Sequence, residues 1–191
     1  NYLGAVSNIF HQEGSWAEVV SEFEYEKARS LGVPGTNILF NGPGKKPEVL
    51  RRAVQEGAHI HIDHLDELYT LETITEELET HIDVALRLNF DTGFTEPWSR
   101  FGFNVESGQA MDAAWRIAAS KYLNLGGLHS HIGTFVTEPR AYTQQVRIMC
   151  GFMNEVENRT DCRIDYLDLG GGFASMNSLQ GVYLPAEQIV P

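Results

Sequence analysis

Two short stretches carry groups that can bind and polarise a ligand. Gly127-Leu128-His129-Ser130-His131-Ile132-Gly133-Thr134 ends an apolar run in two imidazoles, a glycine and a hydroxyl. Leu167-Asp168-Leu169-Gly170-Gly171-Gly172-Phe173 carries a second apolar run into three consecutive glycines. With no Cβ in the way, three backbone N–H groups can turn toward one point, which makes a cradle for phosphate. A phosphate held by N–H groups needs no basic side chain, and none stands beside these glycines. A bare triple glycine serves equally well as a strand-to-helix turn, so its place after an apolar strand is what favours the cradle. Two strands that each deliver ligand-type groups at their ends point to a parallel α/β scaffold with a phosphorylated cofactor at its mouth.

His129 and His131 are two apart, so on a strand they share a face. Three readings stand. They are a metal pair, as on barrel strands of metal-dependent hydrolases; or one functional imidazole with a packed neighbour; or two core histidines. His59, His61, Asp63 and His64 offer further ligands, but that tract reads more simply as His out and Ile in, with Asp63 capping a helix. Glu18 and Arg87 each sit in an apolar run and need partners, either each other or the mouth of the site. Lys45 and Lys46 read as a solvated helix start, and Glu76, Glu77 and Glu79 as a solvated helix face.

The elements that must position these groups alternate. Strands are expected at 16–20, 37–41, 59–63, 84–88, 125–131 and 164–169. Between them lie helices: one opened by the capping box Ser21-x-x-Glu24 and stopped by Gly32, one from Pro47 to Gly57, and one from about Leu65. Another is expected over 107–121, and a long one is capped by Thr137. Alternating strand and helix means a parallel sheet. Functional-looking groups at several strand ends favour a (β/α)8 barrel over a doubly wound sheet, whose ligand groups gather at one switch point. Six strands are visible, so the expectation is an incomplete barrel in a single domain, 1–191. The long connection 89–106 belongs at the rim of the site.

The 191 residues suffice for one sizeable core, and 42% apolar content is that of a globular protein. A net charge of −12 disfavours nucleic acid and anionic membrane surfaces as partners. No run is long and apolar enough to span a bilayer. Two cysteines, Cys150 and Cys162, make no disulfide framework, so a cytoplasmic setting with free thiols is expected. The chain starts at Asn1 without Met and stops just after Ile189-Val190, as a piece of a longer protein would.

In this order, the pieces resemble the fold-type III pyridoxal-phosphate (PLP) decarboxylases of basic amino acids: diaminopimelate, ornithine, arginine and carboxynorspermidine decarboxylases. Trp16-Ala17-Glu18-Val19-Val20-Ser21-Glu22 and Ile38-Leu39-Phe40-Asn41-Gly42-Pro43-Gly44-Lys45 resemble two barrel strands of that family. Asp63-x-x-Asp66-Glu67-Leu68, Leu86-Arg87-Leu88 and Arg100-Phe101-Gly102 are similar to its landmarks, and 129–134 is nearest the diaminopimelate branch. The resemblance implies an alanine-racemase-like barrel and PLP-dependent decarboxylation of a small amino-acid substrate, such as meso-diaminopimelate, through an imine with the cofactor. It implies that His131 stacks on the cofactor ring and that Thr134 offers its hydroxyl to the phosphate. Gly170, Gly171 and Gly172 would donate N–H groups to that phosphate. Glu18 falls where the family usually has Asp near the ring, and Arg87 matches an arginine close to the cofactor. It implies no metal, and a homodimer for the full-length protein. The family's Schiff-base lysine lies on its first barrel strand; Asn1-Tyr2 is similar to the continuation just after it. The 191 residues by themselves are therefore expected to be inactive. A racemase or barrel-only PLP-binding protein of the same fold, and a metal-dependent hydrolase using His129 and His131, are the alternative readings.

Overall fold

The structure of the protein, a computed structural model, describes residues 3–174. The expectations attached to Asn1, Tyr2 and residues 189–191 lie outside them. Six strands run parallel in the order β1 (Ala17–Val19), β2 (Ile38–Phe40), β3 (His59–Ile62), β4 (Ile82–Asn89), β6 (Leu123–Ser130) and β7 (Tyr166–Asp168). A two-residue strand, β5 (Phe103–Asn104), pairs beside the end of β4. Spatial order follows chain order without reversal, whereas a doubly wound sheet reverses at its switch point. The sheet is thus a curled half-barrel, an incomplete (β/α)8 barrel as expected.

The helices α1 (Gly4–Gln12), α2 (Glu22–Ser30), α3 (Pro47–Glu56), α4 (Leu65–Leu78), α5 (Gln109–Ala119) and α6 (Pro139–Arg159) accompany the strands. Ile38, Phe40, Ile60, Ile62, Leu86 and Leu128 join one core with Tyr25, Leu50, Leu68, Ile117 and Met149 from the helices. The alternate strand residues face the barrel interior. Two register rows cross that inner face: His61, Ala85, Gly127 and Tyr166; then Arg87, His129 and Asp168. The Ile–His alternation of β3 is real but inverted: the isoleucines meet the helices and His61 enters the barrel. Gly127 makes room for Tyr166, because a Cβ there would lie 2.3 Å from that ring.

Local signals set most element ends. Ser21 Oγ accepts from the Glu24 N–H (3.3 Å), while Glu24 Oε2 accepts from the Val20 N–H rather than from the cap's own. Gly57 closes α3 with φ 72°. Two caps differ from expectation. His64, not Asp63, caps α4, its Nδ1 accepting from the Glu67 N–H (3.2 Å). That frees the Asp63 carboxylate for another partner. Glu138, not Thr137, caps α6. Helix α1 precedes every expected element; its Leu3, Val6, Ile9 and Phe10 are exposed, so no core stripe marks it.

Lys46 is solvated as expected and pairs with Glu22 (2.7 Å) at the surface. Lys45 is not. Its side chain is fully enclosed, and Nζ donates to Gly42 O (2.6 Å), His61 O (2.9 Å) and Glu67 Oε1 (2.6 Å). Three acceptors match the three donors of an ammonium. Burial lowers the Lys45 pKa and raises that of Glu67, and each charge partly reverses the other's shift. The clip ties the loop after β2 to β3 and α4. Lys45→Met leaves Glu67 buried and unpaired, so urea unfolding should show a loss of about 3–5 kcal/mol. Lys45→Met with Glu67→Leu should recover most of it. Equal losses in the single and double variants would overturn the pairing.

Candidate functional site

The C-terminal ends of β1, β2, β4, β6 and β7 surround a cavity of about 440 Å3, ample for a small cofactor. Glu18, Asn41, Arg87, Trp98, His131 and Gly171 are among its walls. Five residues singled out from sequence (Glu18, Arg87, His129, His131 and Gly171) therefore meet at one place.

Glu18 and Arg87 do not pair with each other. Arg87 is buried; its Nη1 donates to Asp63 Oδ1 (3.0 Å), and its guanidinium lies 4.9 Å from the centre of the Phe101 ring. Gly102, at φ 82°, lets the rim connection press on the Arg87 backbone, where a Cβ would come within 2.7 Å of the carbonyl. Glu18 is exposed along the open inner face, against the expectation of a buried charge. It is nevertheless crowded enough that lost solvation raises its pKa. The Asp168 charge pushes the same way, against His129, the Asn41 hydrogen bond and Arg87. Asn41 Nδ2 donates to Glu18 Oε1 at 2.6 Å.

His131 is fixed on several sides. Its Nδ1 accepts from the Gly171 N–H (3.3 Å), which puts its own proton on Nε2. The Trp98 ring meets it edge-on, with centroids 6.0 Å apart. Burial, then Arg87 and His129, lower its pKa, so the imidazole is neutral near pH 7.

The glycine turn is shaped by backbone contact. Gly170 has φ 67°, and a Cβ would sit 2.9 Å from Ser130 O; at Gly172, with φ 85°, it would sit 1.8 Å from Gly133 O. Gly171 alone faces open space. The N–H groups are not all free, however. Gly170 donates to Asp168 Oδ1 (2.8 Å) and Gly171 to His131. Thr134 is exposed in a neighbouring cleft with Phe94 and Glu96, on the far side of Trp98, and does not line the cavity.

Sequence reasoning missed Gln145, Asn41, Trp98 and the part of Asp168 in the inner cluster, having named His61 and His129 only as candidate ligands beside His131. Gln145 is fully buried on α6, and its Nε2 donates to Ser130 O and Leu169 O, both at 2.9 Å, clamping the ends of β6 and β7. Its place one turn from Ala141 and Met149, on the apolar stripe of α6, was the available signal. In the inner cluster His61 Nδ1 and His129 Nδ1 lie 3.5 and 3.2 Å from Asp168 Oδ2. Burial pulls the Asp168 carboxyl up, but His129, the Gly170 N–H and His61 outweigh it and bring it down to about 2. Burial and His129 hold His61 down to about 3, with Asp168 opposing. His129 and His131 thus look to different partners, Asp168 and Gly171, rather than to one shared point.

The Arg87 charge predicts a measurable shift. The His131 midpoint, followed by imidazole 15N resonances, should lie below the ordinary value near 6.5. Arg87→Met should move it upward; an unmoved midpoint would show that the guanidinium does not act on the ring.

Residues 3–190 match the family model described as pyridoxal-dependent decarboxylase, pyridoxal binding domain. Diaminopimelate decarboxylase of Actinosynnema pretiosum subsp. auranticum is 32% identical over 92% of this chain and 39% of its own length. The L-glutamyl-[BtrI acyl-carrier protein] decarboxylase of Niallia circulans is 28% identical over 88% of this chain and 41% of its own. The crystal structure of M. jannaschii diaminopimelate decarboxylase with L-lysine superposes with a TM-score of 0.87 and 26% identity, covering 98% of this chain and 45% of that one. The chain thus spans about two fifths of the length of the curated relatives it matches. The chain belongs to the pyridoxal-binding domain family of the pyridoxal-dependent decarboxylases.

Proposed function

We propose that the protein carrying this chain is a PLP-dependent amino-acid decarboxylase, and that the cavity at the strand ends receives the cofactor. The observation that supports this most directly is the join between β6 and β7. It sets one imidazole face and one bare glycine side by side in a cavity that also holds an arginine and a carboxylate. Gly171, where nothing stands within 4 Å of a Cβ position, leaves open space on the cavity wall that suits a phosphate approached by backbone, while Gly170 and Gly172 are glycine because the Ser130 and Gly133 carbonyls leave no room there. The fit is therefore good.

When bound, the cofactor supplies an electron sink for the pair left behind as CO2 departs. The chain supplies binding and orientation. His131, neutral and held by Gly171 and Trp98, offers a flat face against which an aromatic ring can lie. Arg87, pinned by Asp63 and Phe101, brings a positive charge to the wall without freedom to swing away. Glu18 is the carboxyl with a raised pKa, suited to hold or pass a proton at Oε2 while Asn41 occupies Oε1. Phosphate contact rests on the 170–172 turn; Thr134 would join only if the rim at Trp98 moved.

The substrate proposed is a small amino acid such as meso-diaminopimelate, with L-lysine-type amino acids next. The acyl-carrier-linked substrate named for one relative marks how widely this family's substrates range. The homodimer and the cytoplasmic setting belong to the same reading. The free thiols of Cys150 and Cys162 support the latter, and no described helix is long and apolar enough to cross a membrane.

Titration of PLP into the chain, followed by absorbance, tests the cavity. Saturable binding is expected, weakened about three- to tenfold by His131→Ala, since a stacked ring contributes about 0.5–1.5 kcal/mol. Gly171→Leu, which fills the open space at the cavity wall, should abolish it. Unchanged binding in both variants would remove the cavity from the cofactor. Release of labelled CO2 from meso-diaminopimelate, lysine and ornithine by the protein carrying this chain tests the reaction; no release from any amino acid would overturn it.

A further inference from the structure

Beneath the cofactor cavity, three buried polar atoms point at one another and make no aligned hydrogen bond: His61 Nδ1, His129 Nδ1 and Asp168 Oδ2. The two nitrogens lie 3.5 and 3.2 Å from the carboxylate oxygen. One ligand atom from each residue lies within 4.8 Å of the others. An unpaired buried polar atom is costly, and three in contact imply a shared partner. The spacing says what partner. Ligands about 2.1 Å from a tetrahedral ion stand about 3.4 Å apart.

The groups around the cluster hold these atoms in place. His61 Nε2 and the Tyr166 hydroxyl share a hydrogen bond (3.1 Å), which leaves Nδ1 to face the cluster. Asp168 Oδ1 accepts from the Gly170 N–H (2.8 Å), which turns Oδ2 inward. Ligating imidazoles and carboxylates are oriented by outer partners of this kind. The His61 and His129 rings stand 5.1 Å apart at 35°, with side chains 0% and 2% exposed. Asp168 is 12% exposed and also borders a second cavity of about 420 Å3 with Tyr166 and His59, a route by which an ion could reach its carboxylate.

We propose that His61, His129 and Asp168 form a site for a divalent transition-metal ion such as Zn2+, separate from the cofactor cavity and sharing only the His129 wall with it. Two imidazoles and one carboxylate suit zinc or cobalt rather than magnesium or calcium, which prefer oxygen ligands in larger number. Three protein ligands leave one position for water. The ion would replace three unmet hydrogen bonds with three coordinate bonds and stitch β3, β6 and β7 together across the barrel interior. This inference stands apart from the proposed decarboxylase activity, and either can fail without the other.

The test uses the chain without PLP, since PLP itself binds metals. Titration with Co2+ should give the visible bands of a tetrahedral site at one ion per chain, displaced by Zn2+. His61→Asn and Asp168→Asn should each weaken binding at least tenfold, while His81→Asn, at an exposed histidine, leaves it unchanged. A readout free of any folding defect is the wild-type 15N histidine spectrum. Stoichiometric Zn2+ should move the Nδ1 resonances of His61 and His129 and leave His131 in place. Absence of tetrahedral bands, or Zn2+ shifts confined to other histidines, would overturn the site.

Discussion

The parallel register across β4, β6 and β7 is the constraint on which the site depends. It sets Arg87, His129 and Asp168 in one row on the barrel's inner face. Neighbouring strands are only about 4.8 Å apart, so three ionisable side chains share a narrow band of limited solvent. Such groups must each find a partner. Arg87 turns to Asp63 and Phe101, toward the mouth. Asp168 turns to His129 and His61, away from it. One row thereby supplies both the cation of the upper cavity and the anion of the lower cluster. Gly127 takes part by being absent as a side chain, since Tyr166 fills the space where its Cβ would be.

Above that row, the chain spends its close contacts on holding β6 and β7 together. Gln145 bonds the last carbonyl of β6 and the carbonyl just past β7, Val136 N–H donates to Gly172 O (3.0 Å), and Gly172 packs on the Gly133 carbonyl. These contacts leave no room for side chains at 170 and 172, which is why glycine stands there, whereas glycine at 171 answers to the open cavity instead. Two glycines serve packing and one serves access. A sequence reading that assigns all three alike to phosphate merges different physical reasons.

What was legible in the sequence is what local chemistry decides. Ser21, Pro47 and Gly57 mark helix ends through capping and φ preference, and the apolar alternation of the strands sets the barrel's inside and outside. His131 and Gly171 were legible from strand ends, whereas the place of Glu18 and Arg87 at the mouth was one of two open readings and came otherwise from the family resemblance. What was not legible depends on partners far away in the chain. Lys45 beside Pro47 looks like any solvated lysine; only Glu67, 22 residues on, and the His61 carbonyl make it a buried clip. Asp63 looks like a helix cap until His64 takes that role and Arg87, 24 residues on, claims the carboxylate. Thr134 sits one residue past Gly133, whose φ of 135° turns the chain, so the hydroxyl departs to the rim. β5 is two residues long and forms only because the rim connection returns to β4.

Position 18 shows how these constraints meet. The resemblance read from the sequence implies an Asp at this place, and this chain has Glu, a side chain longer by one methylene. The added reach would strand a carboxyl over the open inner face unless something receives it. Asn41, at the end of β2, receives it at 2.6 Å, and its own place is set by the loop that Lys45 holds through Gly42. The carboxyl is thus fixed by a neighbour rather than by burial, and it remains within the field of Asp168, which favours its protonated form. The longer acid changes where a proton can be held: Oε1 is committed to Asn41, leaving Oε2 as the oxygen free to exchange one with a group in the cavity. The cost of a charge shared by Glu18 and Asp168 is lowered by a cation nearby, and Arg87, fixed in the cavity wall, stands where such charge is needed.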